Sequence, residues 1–244
     1  MVKIILTAIL FSCLHAQAFT LITTNPNQTG WASNEITFLV NTANCPIDVV
    51  ALMSNAVAVW NNVAHSNIKA SYGGATTSTA YANPTTVYCE ANFSAATGGA
   101  DINFVPAAAS VHTSGGTIYE GIIYLNVSAG QANIANFDSN VLTITVAHEI
   151  GHILGLGHST DANALMYFDG SYKDKLTLAQ DDIDGVSYLY PSDEFKDGHF
   201  AGCGSVAHLP PPPPPPKGLL LLTLLMLLPV AVAVRFRTKS YENI

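Results

Sequence analysis

One eleven-residue run limits this chain more than any other feature: His148-Glu149-Ile150-Gly151-His152-Ile153-Leu154-Gly155-Leu156-Gly157-His158. On a helix, His148 and His152 lie four residues apart, so both imidazoles project from one face and are able to share a metal ion. Glu149, one position further on, is turned partly aside. Gly155 lets the chain leave the helix through backbone angles costly for other residues, which swings His158 back as a third nitrogen donor. Three nitrogens leave the fourth position of a tetrahedral zinc to water, the arrangement of a catalytic site rather than a closed structural one. Glu149 is then placed to take a proton from that water as general base and to return it to a leaving amine. A lone His-x-x-x-His would suit a hydrogen-bonded core helix equally well; five fixed residues with a glycine at the exit favour the metal.

The surrounding pattern is that of an α+β domain from about residue 19 to 197. Glu35 to Thr42 is rich in strand formers, and Pro46 suits the first turn of a helix with Val49, Met53, Val57, Trp60 and Ala64 on one face. Further strands are expected at Ile68 to Tyr72, Thr85 to Cys89, Asp101 to Val105, and as a pair at Thr117 to Glu120 and Ile122 to Asn126. The motif helix runs from Ser139 to Leu156, with Ser139 or Asn140 as cap and Val141, Ile144, Ala147 and Gly151 on a common face. A last helix opens at Thr177-Leu178-Ala179-Gln180, carries Asp181 and Asp182 in its first turn, and ends at Pro191.

The motif resembles the signature of the metzincin metallopeptidases, HExxHxxGxxH followed by a tight turn containing methionine. Ser159 and the stretch Asp161 to Tyr167 are similar to the matrixin branch, as is the pattern of Leu178 to Gly185. The resemblance covers most of Ile36 to Pro191 and is strongest after Val141. It implies a zincin-like catalytic domain with a twisted, mostly parallel sheet and three main helices. It also implies one catalytic Zn2+ on His148, His152 and His158, Glu149 as the catalytic residue, and Met166 as a hydrophobic floor beneath the metal. A protein or peptide substrate would lie along an edge strand, placed near Gly116 to Glu120. Two departures stand out. Phe168 follows Met166-Tyr167 where the family usually has proline, which alters the primary specificity pocket. His112 is the only histidine between His65 and His148, so the loop that holds a second zinc in many animal relatives is missing. Calcium at Asp101 and other acids competes with a plain reading of these groups as solvated surface carboxylates.

Both ends read as targeting sequence. Residues 1–18 combine Lys3, an apolar run and Ala16-Gln17-Ala18, a secretory signal cut before Phe19; acylation at Cys13 is the competing reading. In an oxidising compartment Cys45 and Cys89 are the natural disulfide pair, leaving Cys203 over. Residues 198–217 hold a Cys-Gly motif and a polyproline spacer. Residues 218–234 form an apolar stretch about 26 Å long as a helix, and 235–244 a basic end. This order fits a retained membrane span with the domain outside the cytoplasm, or a sorting signal that releases the protein to the cell surface. No latency segment lies between the signal and the first strand. Cleavage is therefore expected to free a Phe19 ammonium directly, to pair with Asp181 or Asp182 as the resemblance implies. A net charge of −8 argues against nucleic acid, and the domain is read as a monomer. The competing function is a surface adhesin or envelope scaffold that keeps the metal without turnover.

Overall fold

The computed structural model describes residues 19–23, 28–77, 85–170 and 173–192. The expected signal (1–18), spacer (198–217), apolar stretch (218–234) and basic end (235–244) lie outside these residues, as do Cys13 and Cys203. Among the described residues, no helix is long and apolar enough to cross a membrane.

Among the described residues, six strands form one sheet: β1 (Gly30–Trp31), β2 (Glu35–Asn41), β3 (Lys69–Thr76), β4 (Thr85–Glu90), β5 (Ala107–Ser114) and β6 (Thr117–Asn126). The order is β3-β2-β4-β6, all parallel, with β1 parallel to the first residues of β6. β5 runs antiparallel along nearly the whole of β6, from Ala107 opposite Leu125 to Ser114 opposite Thr117. Gly115 and Gly116, at φ +60° and +95°, make the tight turn between these two strands, a conformation that twists with the hairpin and that other residues resist. The mostly parallel sheet agrees with the expectation from sequence.

Four α-helices among the described residues accompany the sheet: α1 (Val49–Ala58), the single turn α2 (Phe93–Ala96), α3 (Ser139–Leu154) and α4 (Gln180–Leu189). α1 and α3 pack on each other and on the sheet, burying Val49, Met53, Ala56, Ile150 and Ile153 together with Phe38, Val40, Val87, Ile123 and Leu125. Each such aliphatic or aromatic side chain removed from water contributes roughly 1.5–3 kcal/mol before entropy is counted. Trp60 follows α1 and is fully buried; its indole Nε1 donates to the Ala147 carbonyl at 2.9 Å, tying the end of α1 to the motif helix. The disulfide Cys45–Cys89 joins the start of the α1 segment to β4 across 44 residues, as expected from the sequence. Closing a loop of that length stabilises the fold by about 4 kcal/mol through the unfolded chain.

Several expectations need correction. Asp101 to Val105 is a turn rather than a strand: the Asp101 carboxylate accepts from Asn103 N at 2.8 Å, and its carbonyl accepts from Phe104 and Val105. A short polar side chain able to satisfy the backbone locally competes with strand pairing. The strand lies further on, at β5. Thr117 to Asn126 is one strand and not a pair; Gly121 in its middle marks no break. A Cβ on Gly121 would sit 2.8 Å from Ile153, so the glycine lets α3 approach the sheet. The expected edge strand near Gly116 to Glu120 is accordingly interior, flanked by β1 on one side and β5 on the other, and the edge is β5.

Helix starts shift too. α1 begins at Val49, capped by Asp48, which accepts from Ala51 N at 3.1 Å, and Ala64 falls outside it and is exposed. α3 is capped by Asp138, which accepts from Asn140 N and Val141 N, both at 2.9 Å, in place of Ser139 or Asn140. α4 begins at Gln180 rather than at the expected Thr177, since Asp182 reaches back to the Ala179 amide at 2.8 Å.

Candidate metal centre

Three histidines reach one point by different routes. His148 and His152 stand on successive turns of α3, and the helix stops at Gly155, whose φ of +108° is the left-handed conformation of a C-terminal cap. A Cβ there would meet Gln28 Nε2 at 2.8 Å and Leu189 at 3.0 Å, so both dihedral and space require glycine, as the sequence implied. Beyond it, residues 19–23 fasten the descending loop. Leu21 bridges Leu156, Ile22 N donates to Gly155 O at 2.9 Å, Gly157 N donates to Thr20 O at 2.8 Å, and the Thr20 hydroxyl donates to His158 O at 2.6 Å. The Gln28 side chain donates to Gly155 O at 2.6 Å from beneath. Sequence reading missed this strap, because a five-residue segment has no periodicity to detect.

The imidazole nitrogens of His148, His152 and His158 all lie within 4.8 Å of one another, the one cluster of at least three metal-ligating side chains among the described residues. His148 Nδ1 donates to Leu165 O at 2.7 Å and His152 Nδ1 to Leu156 O at 2.8 Å. A carbonyl only accepts, so each Nδ1 carries the proton and each Nε2 keeps a lone pair directed inward. Burial holds the His148 ring down at about 4 and the His152 ring at about 3, so both are neutral donors at pH 7. His152 Nε2 and His158 Nε2 are 3.2 Å apart. The edge of a tetrahedron with zinc–nitrogen bonds of about 2.0–2.1 Å is roughly 3.3–3.4 Å, so the donor set fits a zinc ion.

Glu149 is buried beside them. Burial pushes its carboxyl up to about 8, and the nearby backbone amide of Ala109 on β5 pulls the other way. A dication at the histidine nitrogens would lower it further by direct attraction. Ala109 lines the same cleft as Glu149, and along β5 a residue's N–H and C=O point to the same side, so its amide and carbonyl face one way.

Met166 is buried, and its sulfur lies where a side chain on Gly151 of α3 would go, a space also bounded by the Trp60 ring. The turn bearing it is clamped by Asp182, which accepts from Leu165 N at 2.7 Å and Met166 N at 2.9 Å as well as from Ala179 N. Burial raises this carboxyl, and the three amides oppose the rise. Sequence reading placed Asp182 in the first turn of the last helix; only its buried position shows that it ties α4 to the methionine turn.

The cleft in front of the triad encloses about 1060 Å³. Its lining includes Ala107, Ala108 and Ala109 of β5, Val141, Ile144 and Thr145 of α3, and the exposed rings of Phe104 and Phe168. Phe168, the departure from the family pattern, stands on this wall. Asp101 and His112 lie elsewhere: the first caps its own turn, and the second pairs with Glu120 at 2.6 Å across the β5–β6 hairpin.

Comparison with known proteins agrees with this geometry. The matrixin profile matches residues 30–191. Interstitial collagenase of Sus scrofa is 49% identical over 59 residues, which is 24% of this chain and 13% of that protein. Metalloendoproteinase 1 of Glycine max is 54% identical over 50 residues, 20% of this chain and 16% of the relative. Neutrophil collagenase of Homo sapiens is 47% identical over 51 residues, 20% of this chain and 11% of its own length. The matched segment is thus less than a fifth of each of these relatives. Because the profile spans the sheet, the histidine triad and the methionine turn alike, the chain belongs to the matrixin family, peptidase family M10, whose catalytic metal is zinc.

Proposed function

We propose that this chain is a zinc-dependent endopeptidase in which His148, His152 and His158 hold the metal and Glu149 is the general base. The convergence of three neutral imidazoles beside a buried carboxylate carries this reading. When bound, zinc supplies a Lewis acid that activates water and polarises the scissile carbonyl. Glu149, beside the Ala109 amide, accepts the proton from water and delivers it to the leaving amine. An extended substrate adds as a further strand to the open edge of β5, whose Ala109 carbonyl is free to accept from a substrate amide. Seated there, the peptide shields the carboxylate from bulk water.

The chain acts outside the cytoplasm: residues 1–18 direct export and the apolar stretch 218–234 anchors the domain or is removed during sorting. Phe19 becomes the first residue of the mature protein. Its ring packs 5.3 Å from that of Tyr188 and against Gly185, on α4. Asp182 is already committed to three amides, so Asp181 is the partner for a Phe19 ammonium. Sequencing of the secreted protein should return Phe19 first, and an active form beginning elsewhere removes the proposal.

The decisive test is metal analysis joined to hydrolysis. Purified protein should carry one zinc and cut an unfolded protein substrate internally; chelation should abolish cleavage and added zinc restore it. A folded chain that binds no zinc, or a zinc-loaded chain with no hydrolysis on diverse unfolded substrates, ends this reading.

A further inference from the structure

Apolar side chains dominate one end of the cleft, and a single lysine is set among them. From His148 the lining follows one face of α3 back through Thr145, Ile144 and Val141, joined by Phe137, Leu165 and Lys173. The lysine is held in place through its backbone. Lys173 N donates to Gly170 O at 3.0 Å, and the carbonyl of the following residue, Asp174, accepts from the Asn140 side chain at 3.2 Å, beside the first turn of α3.

The ammonium has three donors, and the described residues account for one: Nζ donates to Ala162 O at 2.6 Å. The ion pairs among the described residues are Lys69–Glu35 and His112–Glu120, so Lys173 is in neither. Two acids whose charge it feels are engaged otherwise. Asp182 accepts from three backbone amides, and Asp161 Oδ1 accepts from Asn163 N at 2.9 Å and Asn163 Nδ2 at 3.0 Å. Asp169 shares the cleft wall and has partners of its own. Partial burial holds the ammonium below the usual lysine range, the direction expected of a cation with incomplete compensation.

We infer that Lys173 determines which substrate side chain enters this end of the cleft, favouring an apolar stem tipped by a carboxylate or carboxamide, glutamate ahead of glutamine. This rests on the peptidase reading above. The stem of such a residue packs on Val141, Ile144 and Phe137 while its tip meets the ammonium donors for which the described residues give no acceptor. A charge-assisted hydrogen bond of this kind is roughly twice as strong as a neutral one. A site that presents a polar partner rejects a side chain lacking it more sharply than an apolar wall rejects a missing methylene. The chain as a whole carries −8, so local charge within the cleft, rather than the long-range field, has to make this selection.

The test uses two matched peptide series that vary one residue, Glu, Gln, Leu or Lys, either just before or just after the scissile bond, and reads the series with the stronger preference. With zinc-loaded protein, kcat/KM should be about ten-fold higher for Glu than for Lys and at least equal to that for Leu. In Lys173→Met the Glu-to-Leu ratio should fall about ten-fold, and in Lys173→Glu the preference should invert toward Lys, with zinc content unchanged in both. Ratios within two-fold of the parent in both variants overturn the inference. So does a parent protein that prefers Leu or Lys over Glu, a result that needs no variant to fold. Failure to cut any peptide of the series while fully zinc-loaded instead removes the peptidase reading on which the inference rests.

Discussion

Replacing Glu149 with glutamine should lower kcat about a thousand-fold while leaving one zinc bound. The size follows from what is removed. A positioned general base contributes roughly 10²–10⁴ in rate, and glutamine keeps the volume and an oxygen for the Ala109 amide while losing the ability to take a proton. The metal should stay because its three donors are the histidines, and the outer nitrogens of His148 and His152 are fixed by Leu165 O and Leu156 O independently of Glu149. Paired measurements of zinc content and of turnover on an unfolded substrate check both halves. Loss of zinc with activity would make Glu149 a structural support; full activity would remove it as the base. An adhesin or scaffold of the same fold would have no turnover for the substitution to diminish.

Gly151→Ala is expected to be the most damaging small substitution in the domain. By helix propensity alone it should stabilise by about 1 kcal/mol, since glycine in a helix interior is costly. Packing reverses the sign. The new methyl would collide with the Met166 sulfur and lie 2.7 Å from Trp60 Cζ2, with both neighbours buried and Trp60 tied to Ala147 O. Overpacking of this kind costs about 1–3 kcal/mol and at times more, and here it acts between the two helical ligands. We expect a net loss of about 2 kcal/mol or more, which for a domain of this size lowers the melting temperature by roughly 4–8 °C. Zinc affinity should fall with it. Met166→Ala in the same chain should recover part of the loss, because it opens the space the methyl needs. A variant as stable as the parent, with unchanged zinc affinity, would show that the methionine turn yields freely and that the close approach at Gly151 is incidental.

These two results probe different kinds of information. The convergence of His148 and His152 was legible because an α-helix repeats every 3.6 residues, so sequence spacing translates directly into a shared face. The Gly155 turn was legible because few residues accept its backbone angles. The disulfide followed from a compartment argument and two available cysteines. By contrast β5, Ala-Ala-Ala-Ser-Val-His-Thr-Ser, has little apolar alternation, and its identity as the open edge depends on pairing with β6. The Asp101 segment misled for the opposite reason: Ile102, Phe104 and Val105 look like a strand, yet the Asp101 side chain satisfies the backbone locally and turns it. The cap of α3 was misplaced by one residue because several capping side chains stand in a row at Asp138-Ser139-Asn140, and only the actual hydrogen bonds choose among them.

From the order of amino acids alone came the metal chemistry, the ligand set, the helix that carries it and the mostly parallel α+β frame, all resting on local spacing or on residue types with few alternatives. Folding decided what depends on distant segments meeting: that residues 19–23 strap the loop of the third histidine, that Asp182 anchors the methionine turn, that β5 presents Ala109 to Glu149, and that Lys173 faces the cleft. Contacts between segments more than a hundred residues apart, such as Thr20 with His158, leave no periodic trace along a single chain, and burial and pairing exist only once the chain has closed on itself.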